Sequence, residues 1–512
     1  MLNFNISEDK QWLILIQSPD EIEKRQLEIS LTRKIHNWYF HPLVKKKIWD
    51  GNICFIEKRG AFWKIPIGLW GEVLSLGKEY DIHIEINGLD SLVMTDFSIE
   101  DFTAWTNKFF EGSKKQPRDY QIEAAWKIIK YKFSVSEIAT SSGKTLIAFM
   151  VLAYLKDKGL IRKFLMIAPI TNLVFQGTDD FIEYGLENLG LKIQQIGGGS
   201  KLREGCDVII GTYQSLVKKD AEFFDEVDAV FIDEAHHTDT MSIKKIVSKC
   251  MGSSWRFGLT GTLSKRDSAE HLTIQHYLGP VLVEISPDFL FRNDYATPVE
   301  IKIVILDWLD VTIKAKLADL KEKSKADKEN KIDGTDIYNI ERKLVIESDK
   351  RFKFIVNFIN RTSKNSLVLF QSVKDEYGKR IWNQLREING KKEVFYVDGD
   401  TDEALREEYK TRMSTGENKV LVATYGTFST GISIDNLHNI FLVESYKSEV
   451  LIKQSLGRGM RLMDGKDKVN VIDFVDDFSF KKNVNHLMKH CGVRMEIYEK
   501  EKFKYKVYKV KL

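Results

Sequence analysis

Cysteine is scarce in this sequence, and the four present, Cys54, Cys206, Cys250 and Cys491, are too scattered to form a CxxC pair or a Cys/His cluster. That spacing argues against a zinc site and against a disulfide framework, and makes reduced core thiols the expectation. Proline is also sparse, at eight residues, and no segment is of low complexity. With 43% hydrophobic, 11% aromatic and 29% charged residues, the balance is that of a folded globular chain rather than a disordered one. No apolar run reaches the roughly 18 residues of a membrane helix, and the opening MLNFNISEDK lacks the basic and apolar regions of a signal peptide. A cytosolic protein with no membrane partner is expected. Charge of one sign is missing too: 77 Lys and Arg stand against 74 Asp and Glu, leaving +3. A nucleic-acid partner would therefore have to be met by local basic surface rather than by bulk charge.

What is present is a succession of short apolar, β-branched runs: 164-FLMIAP, 207-DVIIGT, 228-DAVFID, 367-LVLF, 394-VFYV, 419-KVLVAT and 439-NIFLV, alternating with amphipathic stretches. Buried strands between helices imply parallel sheets with crossover helices. The runs form two clusters, about 135–262 and 365–475, separated by the charged stretch 314–334. The expected fold is α/β, with two tandem doubly wound parallel-sheet lobes. The stretch 314–334 mixes seven lysines with five acidic residues, which favours a solvated helix or insertion over a binding element. The first hundred or so residues, punctuated by Gly51, Gly60, Gly68 and Gly71, read as a separate small α+β domain. The expected division is 1–112, 113–295 and 296–512, with a basic, aromatic tail packed on the second lobe.

Residues 135-VSEIATSSGKT-145 run from a short apolar strand into the apolar helix LIAFMVLAYL. Such a junction can cradle phosphates on backbone N–H groups and a helix N-terminus, here those of Thr140, Ser141, Ser142 and Gly143. Lys144 would reach the β- and γ-phosphates of ATP, and the Thr145 hydroxyl would bind Mg²⁺. The strict GxxxxGK[ST] pattern fails, because Ile138 stands where the first glycine should be. Alone, the segment also fits an ordinary strand-to-helix turn. In 228-DAVFIDEAHH an apolar strand ends in two carboxylates, at the edge where parallel sheets bind ligands. Asp233 is then suited to hold Mg²⁺, and Glu234 to take a proton from the attacking water. A lone Asp-Glu pair is usually a solvated strand end, but one in the same lobe as a GKT loop reads as the other half of a nucleotide site.

In this order, ATSSGKT, DEAH, 259-LTGT-262 and 454-QSLGRGMR-461 resemble the signature motifs of superfamily 2 helicases, over about residues 117–475. The resemblance implies RecA-like lobes and an ATP-driven nucleic-acid motor whose ATP site lies between them. It makes Gln121 of 117-PRDYQ-121 the reader of the adenine edge, with Arg118 nearby. It marks Pro169 and Thr171, then Gly211 and Thr212, as nucleic-acid backbone contacts, although all four would equally suit plain strand-to-helix turns. Thr260–Gly261–Thr262 resembles the link that senses nucleotide state. Thr424 and 429-STGIS-433 resemble the motif that touches both strand and nucleotide, with Gly431 allowing close approach. Arg458 and Arg461, read as i and i+3 on one helix face, would act as arginine fingers on the γ-phosphate. Such a pair is usually a solvated face, and the QxxGRxxR pattern reverses that reading.

Outside the shared motifs, 36-HNWYFHPLVKKKIWDGNICFIE, 195-QIGGGSK, 421-LVATYGTFSTGISIDNLHNIFL and the tail EKFKYKVYKVKL resemble the T4-type phage recombination and repair helicases. That resemblance implies a monomeric helicase acting in a host cytoplasm on forked, Holliday-junction and R-loop DNA, with RNA–DNA hybrids as further substrates. Independently of it, residues 36–64 interleave aromatics with Lys45, Lys46 and Lys47 and other cations. Aromatic faces stack bases while cations meet phosphates, although the same residues would also make a core with a solvated rim. An RNA helicase or a duplex-DNA translocase of the restriction-motor kind would share every catalytic residue named, and a non-hydrolysing nucleic-acid scaffold is the alternative of a different class.

Overall fold

The computed structural model describes all residues except 17–19, 60–61, 198–204, 327–333, 389–391 and 432–433. Gly60, most of the GGGSK segment and part of the charged stretch thus lie outside the described residues. The chain forms two compact units, Met1–Ala139 with Gly143–Ile285, and Thr140–Ser142 with Ser286–Leu512.

The first unit begins with strands β1 (Leu2–Ile6), β2 (Trp12–Leu15), β3 (Thr32–Lys34), β4 (Asn52–Cys54), β5 (Glu57–Arg59), β6 (Phe62–Pro66) and β7 (Ile84–Asn87). Five of these make a sheet in the order β5-β6-β2-β1-β7, while β3 and β4 pair separately. Alternation explains the sheet: in β1, Leu2 and Phe4 point into the core and Asn3 and Asn5 do not. The expected separate domain 1–112 does not stand alone as a compact unit. Its apolar core takes in Phe133 and Leu272 from the lobe that follows, and Gln275 Nε2 donates to Glu72 at 2.8 Å.

That lobe carries β8 (Phe133–Ile138), β9 (Lys163–Ala168), β10 (Ile193–Ile196), β11 (Val208–Thr212), β12 (Val227–Asp233), β13 (Trp255–Thr260) and β14 (Val281–Ile285). They form one all-parallel sheet, β10-β11-β9-β12-β13-β8-β14. Helices cover both faces, so the strands read as continuous apolar runs rather than alternating ones. The helix Lys144–Asp157 is itself apolar all round and buried from Leu146 to Leu155. This strand order brings the carboxyl ends of β12, β13 and β8 side by side.

The second unit repeats the plan with β15 (Val299–Asp307), β16 (Ser366–Phe370), β17 (Val394–Val397), β18 (Val420–Thr424), β19 (Asn439–Leu442), β20 (Val469–Asp477) and β21 (Lys504–Lys511). These are all parallel in the order β17-β18-β16-β19-β20-β15-β21. The fold is thus the expected pair of doubly wound α/β lobes with a small N-terminal α+β portion.

Two details differ from the sequence reading. The unit begins at Ser286 rather than at residue 296, because Phe291 packs on Phe503 at 6.0 Å and Lys502 pairs with Asp288 at 3.3 Å. The basic tail is not merely packed on the lobe: it adds β21 as an edge strand, whose four lysines discourage pairing with other chains. The charged stretch falls in the helices Val311–Ala326 and Gly334–Glu347 and the undescribed residues between them.

A buried ion pair ties the tail to the sheet. Arg494 Nε and Nη2 donate to the two Asp473 carboxylate oxygens, both at 2.8 Å, and Tyr498 Oη adds a bond at 2.9 Å. Arg494 Nη1 also donates to Ser445 Oγ and the Tyr446 carbonyl, which anchors the segment leading into helix Glu449–Gly459. Removing one partner strands a buried charge at a cost of about 3–5 kcal/mol. Asp473→Ala should therefore destabilise the second unit by that amount in urea unfolding, and an unchanged transition would show the pair to be energetically idle.

Candidate active site and nucleic-acid face

The phosphate loop leaves β8 at Ile138, which is fully buried. Ile138 occupies the first-glycine position as the last strand residue, where no left-handed backbone is needed. The loop's positive φ values fall later, at Ser141 (69°) and Gly143 (82°). Gly143 caps helix Lys144–Asp157. A Cβ at Gly143 would lie 2.3 Å from Gln121 Nε2, so the buried Gln121 amide packs directly on the loop. Gln121 Oε1 accepts from the Arg118 backbone N–H at 2.8 Å, which places Arg118 at the start of the helix Asp119–Tyr131 that carries Gln121. Gly143→Ala combines the lost φ with this collision and should weaken nucleotide binding at least tenfold, about 1.4 kcal/mol, in a titration with a fluorescent ATP analogue.

At the end of β12, one strand beyond β13 in the sheet, Lys144 Nζ meets Glu234 Oε1 at 3.0 Å. Asp233 Oδ1 accepts the Glu234 N–H at 3.0 Å, and Glu234 itself sits at φ 53°. Burial, with the Glu234 charge next, raises the Asp233 carboxyl to about 6. Burial acts in the same sense on Glu234, but the Lys144 ammonium and His236 outweigh it and hold Glu234 below the usual carboxylate range. The two carboxyls therefore differ in character: Glu234 is the firmly ionised one, and Asp233 is a half-buried carboxyl that a cation would stabilise.

The fit of Mg²⁺ to this site rests on donor chemistry. A carboxylate of this kind and the half-buried Thr145 hydroxyl are hard oxygen donors of the type Mg²⁺ takes, alongside water and phosphate oxygens. Among the described residues no cluster of three or more His, Cys, Asp or Glu could hold a metal without such outside ligands.

The connection onward from this pair is not legible in either motif alone. His236 Nδ1 lies 3.3 Å from Glu234 Oε2 and 2.9 Å from Thr260 Oγ1. Thr260 Oγ1 in turn donates to the Thr262 carbonyl at 3.0 Å. The DEAH and LTGT segments are thus one hydrogen-bonded array, set by the β12–β13 register that pairs Asp233 with Leu259.

Further along the same sheet edge, β9 and β11 are in register at Ala168 and Thr212, which brings Pro169 and Thr171 next to Gly211 and Thr212. Gln214 Nε2 donates to the Pro169 carbonyl at 3.4 Å, and Thr212 Oγ1 to Ser215 Oγ at 3.1 Å. Lys45, Lys46 and Lys47 lie elsewhere in the first unit, all exposed. Tyr39 and Phe40 beside them are 52% and 63% exposed, so these two aromatics are not core.

In the second unit, Thr424 ends β18 and is buried, and its hydroxyl is engaged internally with Thr427 Oγ1 at 2.7 Å. It caps helix Tyr425–Gly431, of which Gly431 is the last residue. Ile432 and Ser433 lie outside the described residues. The expected helical spacing of Arg458 and Arg461 does not hold, because the helix ends at Gly459. Arg458 lies within it, and Arg461 leaves on the following segment, where its Nη1 pairs with Asp435 Oδ1 at 3.2 Å.

Two family models match the chain: type III restriction enzyme, res subunit, over residues 114–265, and helicase conserved C-terminal domain, over residues 350–463. The first spans Gln121 to Thr262, and the second spans Thr424 to Arg461. The ATP-dependent DNA helicase uvsW of Enterobacteria phage T4 is 29% identical over 491 residues, 91% of each chain. The DNA 3'-5' translocase XPB2 of Sulfurisphaera tokodaii is 24% identical over 441 residues, 83% of this chain and 93% of that one. Among solved structures, S. cerevisiae Dbp5 bound to RNA and ADP BeF3 superposes with a TM-score of 0.53 at 14% identity, covering 81% of this chain and 96% of that one. At that identity the likeness is one of fold.

Proposed function

Because this chain belongs to the superfamily 2 helicases and is an ATP-hydrolysing helicase of the ATP-dependent DNA helicase family, we propose that it unwinds and branch-migrates forked, Holliday-junction and R-loop substrates in recombination, replication and repair. The observation that carries the catalytic part is the meeting of Lys144, Glu234 and Asp233 at the carboxyl ends of β8 and β12, with β13 between them in the same parallel sheet.

In this reading Thr140, Ser141, Ser142 and Gly143 hold the phosphates on backbone N–H groups, and Lys144 binds the β- and γ-phosphates. Gln121 and Arg118 receive the adenine. Thr145 and Asp233 hold Mg²⁺, which when bound neutralises phosphate charge. Glu234, kept ionised, accepts the proton of the attacking water. Arg458 and Arg461 act on the γ-phosphate of the same nucleotide, with Gly431 close to it. The array Glu234–His236–Thr260 is the route by which the nucleotide's state reaches the nucleic-acid contacts.

Pro169, Thr171, Gly211 and Thr212 on the first unit grip the backbone of one strand, and Thr424 on the second does so once its hydroxyl leaves Thr427. Contacts of this kind hold phosphate and sugar, so the motor should be largely indifferent to sequence. Lys45, Lys46 and Lys47 with Tyr39 and Phe40 form an additional basic and aromatic surface for DNA. Replacing the three lysines with Ala should weaken binding and flatten its salt dependence, the log–log slope falling by ~0.9 for each duplex phosphate they neutralise; an unaltered slope would remove them from the interface. The protein acts as a monomer, in the host cytoplasm if phage-encoded. Among the described residues no helix is long and apolar enough to cross a membrane.

The test is ATP turnover with single-stranded, duplex, forked and four-way DNA, RNA–DNA hybrid and matching RNA, followed by strand displacement on each. Strongest stimulation and unwinding on forked and four-way DNA support the reading. Preference for duplex RNA would make the chain an RNA helicase, and stimulation by plain duplex without unwinding would make it a duplex translocase.

A further inference from the structure

Lys466 is a lysine with 7% of its surface exposed, in the turn between Arg461 and β20. Gly465, at φ 76°, makes the turn that folds it inward. Its Nζ donates to three carbonyls: Gly459 at 2.7 Å, Asp435 at 2.9 Å and Arg461 at 3.0 Å. Gly459 ends the helix that carries Arg458, where backbone carbonyls lose their intrahelical partners and a cation is favoured. Asp435 is held twice, by Lys466 through its carbonyl and by Arg461 through its carboxylate.

We infer that Lys466 is a positioning residue for ATP hydrolysis: by gripping these three carbonyls it sets where the helix end presents Arg458 and where the chain presents Arg461. This rests on the reading of the two arginines as acting on the nucleotide.

The charged and titratable groups facing Lys466 are Asp435, Arg461 and His438. Burial, opposed by the Asp435 carboxylate and reinforced by Arg461, brings the lysine amine down to about 8. Above that pH the grip loses its charge and one donor, so turnover should fall on the alkaline side.

Lys466→Met and Lys466→Arg test this, with DNA-stimulated kcat and the KM for ATP measured against pH. Lys466→Met should lower kcat by about 10- to 100-fold, the scale of a reacting group displaced by roughly 1 Å, with KM nearly unchanged. Lys466→Arg keeps its charge at every accessible pH, so it should retain most of the turnover at neutral pH and move the alkaline limb upward. A purely structural role would lower the melting temperature of both variants without moving that limb. Full turnover in Lys466→Met, or a wild-type alkaline limb in Lys466→Arg, overturns the inference. Arg461→Ala serves as the separate control: if it hydrolyses ATP normally, the reading of the arginine fails and the inference falls with it, whereas loss of turnover there beside a normal Lys466→Met refutes the positioning alone.

Discussion

Glu234→Gln is expected to reduce DNA-stimulated ATP turnover by about 10²–10⁴-fold, the usual contribution of a positioned general base, while leaving ATP binding intact. The substitution preserves shape and can keep hydrogen bonds to Lys144 and His236, so the local fold should survive. What it removes is a carboxylate that Lys144 and His236 keep ionised against the effect of burial. It also removes one of the two causes that raise Asp233. Asp233 should ionise more readily in the variant, so divalent-ion dependence should not worsen. Lys144→Ala, by contrast, removes a phosphate contact and should weaken both binding and turnover. Stopped turnover with retained nucleotide affinity is therefore the signature of Glu234. Retention of more than about a tenth of wild-type turnover would mean that the water is activated elsewhere.

The lobes were readable because strands buried on both faces of a parallel sheet must be apolar throughout, and runs such as FLMIAP and KVLVAT have no other use in a globular chain. The carboxylate pair was readable for the same reason, as charge at the end of an apolar strand. The edge strand Lys504–Lys511 escaped because one side of an edge faces water and tolerates lysine at nearly every second position. The helix end at Gly459 escaped because LGRGM has no break that periodicity would register before Arg461. Glycine is unfavourable inside a helix by only about 1 kcal/mol, which tertiary contacts override or enforce. Lys466 was invisible for a deeper reason. In MDGKDK a lysine reads as solvated, and only the folded chain shows that its amine replaces water on three carbonyls. The hydrogen bonds joining His236 to Thr260 likewise depend on a strand register that neither motif contains on its own.

Arg458→Ala and Arg461→Ala are expected to have the largest effects, lowering turnover by about 10³-fold or more, as loss of an arginine finger does, with little change in ATP affinity. The charge these groups meet develops on the γ-phosphate during transfer, so their contribution belongs to the rate rather than to ground-state binding. Arg461 is engaged with Asp435, but its side chain is 37% exposed and that of Asp435 is 57% exposed. A pair so exposed is worth at most about 1 kcal/mol, which a phosphate oxygen with its fuller charge can readily outbid. Asp435→Asn should accordingly leave turnover close to wild type below neutral pH, while moving the alkaline fall to lower pH because the carboxylate that favours the Lys466 charge is gone. Lysine should not rescue either position, since a guanidinium offers a planar fork of donors and an ammonium only a point charge. If Arg458→Lys and Arg461→Lys turned over ATP as fast as the parent, charge alone would suffice, and the two arginines would be general electrostatic contributors rather than groups aimed at the transferring phosphate.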